Sequence, residues 1–127
     1  MAELKLTEQQ HAAVFDRGGS LLVSAAAGSG KTKVLVERVF SYLTVERCDV
    51  DDFLIITYTK AAASELRGKI GAKLTEVLAA NPGNRHLQRQ VQRLYLAKIS
   101  TVHSFCGDLL REYAFALELP GDFRVAD

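Results

Sequence analysis

A glycine-rich stretch placed directly after an apolar run leaves this chain few possible folds. Residues 24–32 read SAAAGSGKT, and they follow the apolar run from Leu21 to Val23. A short apolar run of this kind is typical of a strand buried on both faces of a parallel sheet. From Lys31 onward, apolar side chains recur at helical spacing. The stretch therefore predicts a loop that joins a buried strand to the N-terminus of a helix.

The same stretch has the chemistry of a phosphate-binding loop. The pattern G-x-x-x-x-G-K-S/T is matched by Gly30, Lys31 and Thr32, with Ala25 at the first glycine position. Lysine in this position reaches the β- and γ-phosphates and the hydroxyl ligates Mg²⁺, so Lys31 and Thr32 are the predicted catalytic pair, with Thr32 at the metal. Backbone N–H groups wrap the β-phosphate. The residues predicted to bind the nucleotide here are Ala25, Ala26, Ala27, Gly28, Ser29, Gly30, Lys31 and Thr32. A plain glycine-rich turn is the alternative.

Predicted strands and helices alternate along the rest of the chain. A first helix follows Thr7. Strands are predicted at residues 21–23, 53–59 and 98–103, and helices at 31–47, 60–80, 85–97 and 104–118, with Ser104 as the N-cap of the last. This order indicates an α/β fold with a mainly parallel sheet. Ligands bind beyond the carboxyl ends of such strands, so we expect SAAAGSGKT, TYTK and STVHS to gather on one edge.

Composition narrows the class of protein without fixing it. The chain has 127 residues and a net charge of +1, which fits one domain with no general attraction for polyanions. Cys48 and Cys106 lack CxxC spacing, so we expect reduced thiols and a cytoplasmic location. His103 lies three residues from Cys106, but further ligands at zinc spacing are missing. No apolar run approaches the roughly 20 residues that span a bilayer, so no membrane association is expected.

Four blocks of sequence resemble the UvrD/Rep-type superfamily I DNA helicases. LTEQQHAAV resembles the family's Q motif, AAAGSGKT its phosphate loop, TYTKAAASEL its motif Ia and ISTVHSFC its motif Ic. Alanine at the first loop position is normal in this family. The SFC ending and the later FRVAD resemble the AddA and RecB helicase–nuclease subunits in particular. The resemblance implies a P-loop NTPase (RecA-like) parallel sheet flanked by helices, with ATP and Mg²⁺ as cofactors.

The resemblance also implies a role for Gln10. The family's Q-motif glutamine reads the edge of adenine, and Gln10 occupies that position. Gln10 also stands three residues after Thr7, which is the spacing of a helix capping box. The residues alone favour the capping box, and the resemblance favours adenine.

Motifs Ia and Ic of the family line a track for single-stranded DNA. The residues that map to this track are Thr57, Tyr58, Thr59, Lys60, Thr101 and His103. In the family the aromatic side chain of motif Ia stacks on a base, which suits binding of any sequence. The alternatives are that Tyr58 is a core aromatic and that His103 is structural.

A basic stripe on the predicted helix 85–97 is independent of the resemblance. Arg85, Arg89 and Arg93 are four residues apart, with His86 beside the first. Phosphate binding is one interpretation. We favour the commoner one, a solvated helix face.

The chain lacks parts that hydrolysis of ATP requires. No Asp-Glu pair occurs in it, and the pair Asp51-Asp52 precedes a predicted strand instead of ending one. We therefore interpret residues 1–127 as the N-terminal part of the first motor domain, without the Walker B motif, second motor domain or nuclease domain.

We expect this chain to bind nucleotide without turnover. For the full protein we expect a partner that is a second helicase–nuclease subunit. The alternatives are a stand-alone ATP- or DNA-binding module and, less favoured, a small phosphoryl-transfer enzyme.

Overall fold

The structure is a computed structural model that describes residues 5–26, 28 and 30–126. Over these residues the chain forms five α-helices and two β-strands. The helices are α1 Glu8–Phe15, α2 Lys31–Thr44, α3 Lys60–Ala80, α4 Arg85–Arg93 and α5 Val102–Glu112. The strands are β1 Leu54–Thr57 and β2 Lys98–Thr101, and 3₁₀ turns cover Val50–Asp52, Leu94–Leu96 and Phe115–Leu117. None of the helices in this part of the chain is long and apolar enough to cross a bilayer.

The two strands pair in parallel, which confirms the predicted α/β class with a parallel sheet. Ile55 lies opposite Ile99, and Thr57 lies opposite Thr101. A parallel pair needs a long crossover connection, and α3 and α4 supply it. Because the last residues of both strands are partners, the chain leaves β1 and β2 on the same edge. TYTK and STVHS therefore gather there, as expected, whereas SAAAGSGKT does not follow a strand of this sheet.

The predicted strand at Leu21–Val23 is absent, so that prediction was wrong. Residues 20–26 have no regular secondary structure, and β1 and β2 pair only with each other. A strand persists when a neighbour satisfies its N–H and C=O groups, and no residue in the described ranges does this for residues 21–23. The side chain that was expected to be buried, Leu22, is 92% exposed. The phosphate loop is therefore reached through an irregular segment and not from a strand.

Helix α3 lies at the centre of the core. Its side chains Ala63, Leu66, Ile70 and Leu74 are buried, as the spacing of three and four residues predicts. This face packs against β2, α2 and α4. The other buried members of the same cluster are Val36, Val39, Leu43, Val50, Leu87, Ala97 and Ile99. A second cluster, formed by Ala13, Val14 and Val34, joins α1 to α2.

Several predicted boundaries differ from the structure at helix ends. Helix α2 stops at Thr44 and α4 at Arg93, where a 3₁₀ turn takes over. Helix α5 begins at Val102, so β2 ends at Thr101 instead of reaching His103. The N-cap of α5 is Thr101, whose hydroxyl accepts the N–H of Ser104 at 3.2 Å. The prediction of Ser104 as N-cap was wrong, because a threonine three residues earlier already satisfies that N–H group.

Candidate nucleotide and nucleic-acid sites

The capping box at the start of α1 is present. The Thr7 hydroxyl accepts the N–H of Gln10 at 3.2 Å, and the Gln10 Oε1 accepts the N–H of Thr7 at 3.0 Å. These bonds satisfy two of the N–H groups that a helix start leaves open. The glutamine is therefore held at the first turn of α1 by a local rule that its spacing from Thr7 already predicted.

The held glutamine lies against the phosphate loop. A Cβ added to Gly30 would come within 3.2 Å of the Gln10 Nε2, which is closer than nearly all ordinary contacts. Gly30 also has a φ of +86°, in the left-handed region that favours glycine. Glycine is therefore favoured at position 30 for two reasons, the left-handed backbone and the lack of space for a Cβ atom. The Q-motif side chain and the loop, 20 residues apart in sequence, are in immediate contact.

The N-terminus of α2 has no side-chain cap. The other four helices are capped by side-chain oxygens, which belong to Thr7, Thr59, Asn84 and Thr101. Helix α2 begins after Gly30, which has no side-chain oxygen. Its first N–H groups carry the positive end of the helix dipole and are the groups that bind phosphate in such loops.

The loop lysine is held by the loop itself. The Lys31 Nζ donates to the Ala25 carbonyl oxygen at 2.8 Å. The ammonium group is therefore already positioned over the loop, on a carbonyl that an incoming phosphate can replace as the acceptor. Thr32, the predicted Mg²⁺ ligand, is exposed in the first turn of α2.

A cavity of about 250 Å³ lies between α1 and the loop. The residues that line it are Thr7, Gln9, Gln10, Ala13, Val23, Ser24, Ala25, Lys31 and Val34. It thus unites Gln10 with Lys31, the two predicted ligands at opposite ends of a nucleotide. The predicted residues Ala26, Gly28, Gly30 and Thr32 are not among its lining residues. Ala27 and Ser29, also predicted to bind, lie outside the described residues.

Two arginines that the sequence analysis missed fix α1 on α2. The Arg38 Nη1 of α2 donates to the carbonyls of Ala13 and Asp16 at 2.9 and 2.8 Å, where α1 ends. Arg17, just beyond α1, donates to the Ser41 Oγ at 2.7 Å, and its guanidinium lies 3.8 Å from the centre of the Tyr42 ring. Charge-assisted bonds to carbonyls at a helix end are strong and directional. They hold Gln10 at a fixed place relative to the loop.

The second group of predicted residues lies at the carboxyl ends of β1 and β2. Tyr58 is 99% exposed directly after β1, so the alternative of a core aromatic is wrong. The Thr57 hydroxyl donates to the Thr59 carbonyl at 2.9 Å, and the Thr59 hydroxyl caps α3. These bonds shape the turn that leaves the Tyr58 ring free in solvent.

The same edge carries three further predicted residues, Thr101, Lys60 and His103, which differ in how far they are buried. Thr101 is buried, and its hydroxyl is used in capping α5. Lys60 opens α3 and lines a cavity of about 250 Å³ with Thr101, and His103 is exposed in the first turn of α5. The edge therefore offers an aromatic ring, a lysine and a histidine to a ligand, with Thr101 beneath them.

Two arginines of the basic stripe on α4, Arg89 and Arg93, pair with acidic side chains. The favoured interpretation of a solvated helix face was therefore wrong for this part of the stripe. The Arg93 Nη2 donates to Asp51 at 2.6 Å, and Arg93 and Arg89 approach Asp49 at 3.4 and 3.3 Å. The Gln90 hydrogen bond, with the nearby charges of Arg89 and Arg93, holds the pKa of Asp49 below its ordinary value. Asp51, which lies before β1, thus forms an ion pair with Arg93.

Acidic and metal-ligating side chains form no further site here. Over residues 5–26, 28 and 30–126, no group of three or more histidine, cysteine, aspartate or glutamate side chains could hold a metal ion.

Comparison with known proteins identifies the family that these features define. Residues 6–127 match the family described as the UvrD/REP helicase N-terminal domain, and the chain belongs to this family.

The similar proteins are much longer than this chain. Those from Desulfitobacterium hafniense, Desulforamulus reducens and Oceanobacillus iheyensis, each named as one subunit of an ATP-dependent helicase/nuclease, are 53%, 50% and 46% identical to it. The matches cover 97%, 100% and 95% of this chain, respectively, and only 9–10% of each relative. The chain thus spans about a tenth of the length of the curated relatives it matches.

Proposed function

We propose that this chain binds ATP with Mg²⁺ between α1 and the phosphate loop, as the N-terminal part of the first motor domain of a RecA-like DNA helicase. The observation that carries the proposal is a cavity lined by both Gln10 and Lys31. One end of that cavity offers an amide, and the other offers an ammonium group beside an open helix N-terminus. These are the groups that an adenine base and a triphosphate require.

The adenine end of the proposal rests on the Gln10 amide. A glutamine amide reads adenine by donating to N7 and accepting from the N6 amino group. The Gln10 Oε1 already accepts the N–H of Thr7, but a carbonyl oxygen has two lone pairs. The capping box and adenine recognition are therefore compatible, and the cap would orient the amide before the base arrives.

At the phosphate end, Lys31 would exchange one acceptor for another. Its bond to the Ala25 carbonyl is replaced by bonds to the β- and γ-phosphates, which are stronger because the acceptor is charged. Backbone N–H groups of the loop and of the first turn of α2 would bind the β-phosphate, and the Thr32 hydroxyl would be a ligand for Mg²⁺.

The edge formed by β1 and β2 is the proposed track for single-stranded DNA. The exposed Tyr58 ring would stack on a base, and Lys60 and His103 would contact the backbone. Thr57, Thr59 and Thr101 would act mainly by shaping this edge, since the structure uses the hydroxyls of all three in local hydrogen bonds.

For the full protein we propose ATP-driven translocation on single-stranded DNA in the cytoplasm, in repair and recombination. It would act as a helicase and nuclease together with a second subunit. The name shared by the relatives supports this, since it specifies one subunit of an ATP-dependent helicase/nuclease.

We expect the 127-residue chain to bind ATP without measurable turnover. The sequence has no Asp-Glu pair to hold Mg²⁺ and activate water. Release of phosphate from ATP is the measurement. Robust release that disappears in Lys31→Ala would contradict this expectation.

Gln10→Glu separates adenine recognition from capping. Glutamate at this position still accepts the N–H of Thr7 in a capping box, but it has lost the NH₂ donor. We expect ATP affinity to fall about tenfold, since one bidentate contact with a base provides about 1–3 kcal/mol of discrimination. Calorimetric titration with ATP and with GTP measures both the affinity and the preference.

Thr7→Ala is the reciprocal control. It removes the hydroxyl of the cap, which costs about 1 kcal/mol of stability, and leaves the Gln10 amide in place. The preference for ATP over GTP should persist in this variant. If Gln10→Glu kept that preference, Gln10 would be a helix cap only.

A further inference from the structure

A third pocket, lined entirely by basic side chains, lies where the end of α2 meets the start of α4. It has a volume of about 320 Å³, and the residues that line it are Arg47, Arg85, His86 and Arg89. None of them lines the cavity at the phosphate loop or the cavity at the strand ends. In a chain with a net charge of only +1, this is a local concentration of positive charge.

Arg47 reaches the pocket through a backbone conformation that favours glycine. Its φ is +57°, and the next residue, Cys48, donates its N–H to the Tyr42 carbonyl at 3.1 Å. A residue with a side chain pays a free-energy cost in this left-handed region that glycine avoids. The chain thus carries a guanidinium group at a position where glycine would be easier to accommodate.

His86 fixes the other wall of the pocket. Its Nε2 lies 2.8 Å from the Leu43 carbonyl near the end of α2. A carbonyl only accepts, so Nε2 is the donor, and the Nδ1 atom faces the Arg89 Nη2 at 3.5 Å. The bond ties the first turn of α4 to the end of α2, so the basic groups project from a connected framework.

The positive charge of the pocket is only partly balanced. Arg89 has Asp49 at 3.3 Å, but Arg93 shares that carboxylate at 3.4 Å. Within the ranges that the structure describes, neither Arg47 nor Arg85 forms an ion pair. The nearest acidic neighbour of Arg47 in sequence, Glu46, is paired with Arg17 at 2.6 Å. Two guanidinium groups therefore remain available to an outside anion.

We propose that the pocket binds a phosphate group, either of a small phosphate compound or of a nucleic-acid backbone. Guanidinium groups present paired N–H donors that match phosphate oxygens, and they stay charged at any physiological pH. The site is separate from the proposed ATP cavity and from the strand-end track, so it adds a third contact to the proposed function and does not depend on either.

The test compares Arg47→Gly/Arg85→Gln with Arg124→Gln, both in a Lys31→Ala chain so that the phosphate loop does not contribute. Glycine suits the left-handed backbone at position 47, so the double variant should melt no lower than its parent. Arg124 is exposed and does not line the pocket. The probes are sodium pyrophosphate, a single-stranded oligothymidine of about 16 nucleotides and a duplex of the same length, titrated at several salt concentrations.

We expect the double variant to bind more weakly, by about tenfold for the probe that the pocket accepts. If the probe is the single strand, the slope of log affinity against log salt should fall by about 0.7 for each arginine removed. Loss with pyrophosphate alone identifies a small phosphate ligand, and loss with an oligonucleotide identifies a nucleic-acid backbone. Equal affinities in the double variant and its parent for all three probes, or equal losses in Arg124→Gln, would overturn the proposal. ATP binding in the double variant with Lys31 restored tests the phosphate loop separately.

Discussion

Tyr58→Ala is expected to weaken binding of single-stranded DNA by about 5- to 150-fold, because stacking on one base is worth about 1–3 kcal/mol. The ring is 99% exposed, so its removal leaves no cavity and should leave the melting temperature unchanged. Fluorescence anisotropy of a labelled oligothymidine measures the affinity. Tyr58→Phe keeps the stacking face and should bind almost as well as the parent chain.

Tyr95→Ala is the matched control for that experiment. Tyr95 is also an exposed tyrosine, at 77%, but it lies in the 3₁₀ turn before β2 and not at the carboxyl end of a strand. Its loss should leave the affinity unchanged. Equal effects of the two substitutions, or no effect of Tyr58→Ala, would contradict the proposed track.

Gln90→Leu is expected to destabilise the fold by about 1–3 kcal/mol or more, the cost of leaving a buried donor unpaired. Gln90 is fully buried, its Oε1 accepts the N–H of Val50 at 2.7 Å, and its Nε2 donates to Asp49 at 2.6 Å. Leucine has a similar volume but cannot accept the Val50 N–H. Denaturant unfolding measures the loss, and an unchanged free energy of unfolding would contradict this account of Gln90.

Gln88→Leu is the control, since it makes the same chemical change on the exposed side of α4, and surface substitutions usually change stability by less than about 0.5 kcal/mol.

The dependence of stability on pH supplies a second readout for Gln90→Leu. Because the Gln90 bond is the first cause of the lowered pKa of Asp49, the carboxylate contributes stability above its unfolded pKa and loses it as pH falls through its folded pKa. The difference between the parent chain and Gln90→Leu should therefore shrink in acid.

The sequence was sufficient for the elements that follow local rules. The apolar stripe of α3 and the capping box of Thr7 and Gln10 depend on side chains three or four residues apart, and both are present as predicted. The position of TYTK and STVHS on one edge was also predicted, because the carboxyl ends of neighbouring parallel strands lie on the same edge of a sheet.

Contacts between distant residues could not be predicted in the same way. The run from Leu21 to Val23 has the composition of a strand, but a strand also needs a partner, and no local pattern shows whether one is present. The contacts of Arg38 with the end of α1 and of Gln90 with Val50 join residues 22 to 40 positions apart. Neither contact has a sequence motif, although a polar residue on the apolar side of α4 was a usable signal for Gln90.

The proposed nucleotide site combines both kinds of information. The loop pattern predicted a phosphate site, and the resemblance to UvrD/Rep-type helicases placed adenine at Gln10. Gln10 and Lys31 line the same cavity, which no spacing in the sequence could establish.

Calorimetric titration of the 127-residue chain with ATP and with GTP in the presence of Mg²⁺ tests the central claim most directly. The account predicts that ATP binds more tightly than GTP, and that Lys31→Ala weakens both by at least about tenfold, since a hydrogen bond to a charged group contributes about 1.5–3 kcal/mol. Absence of ATP binding in a folded chain, or binding that is equal for ATP and GTP and unaffected by Lys31→Ala, would contradict it.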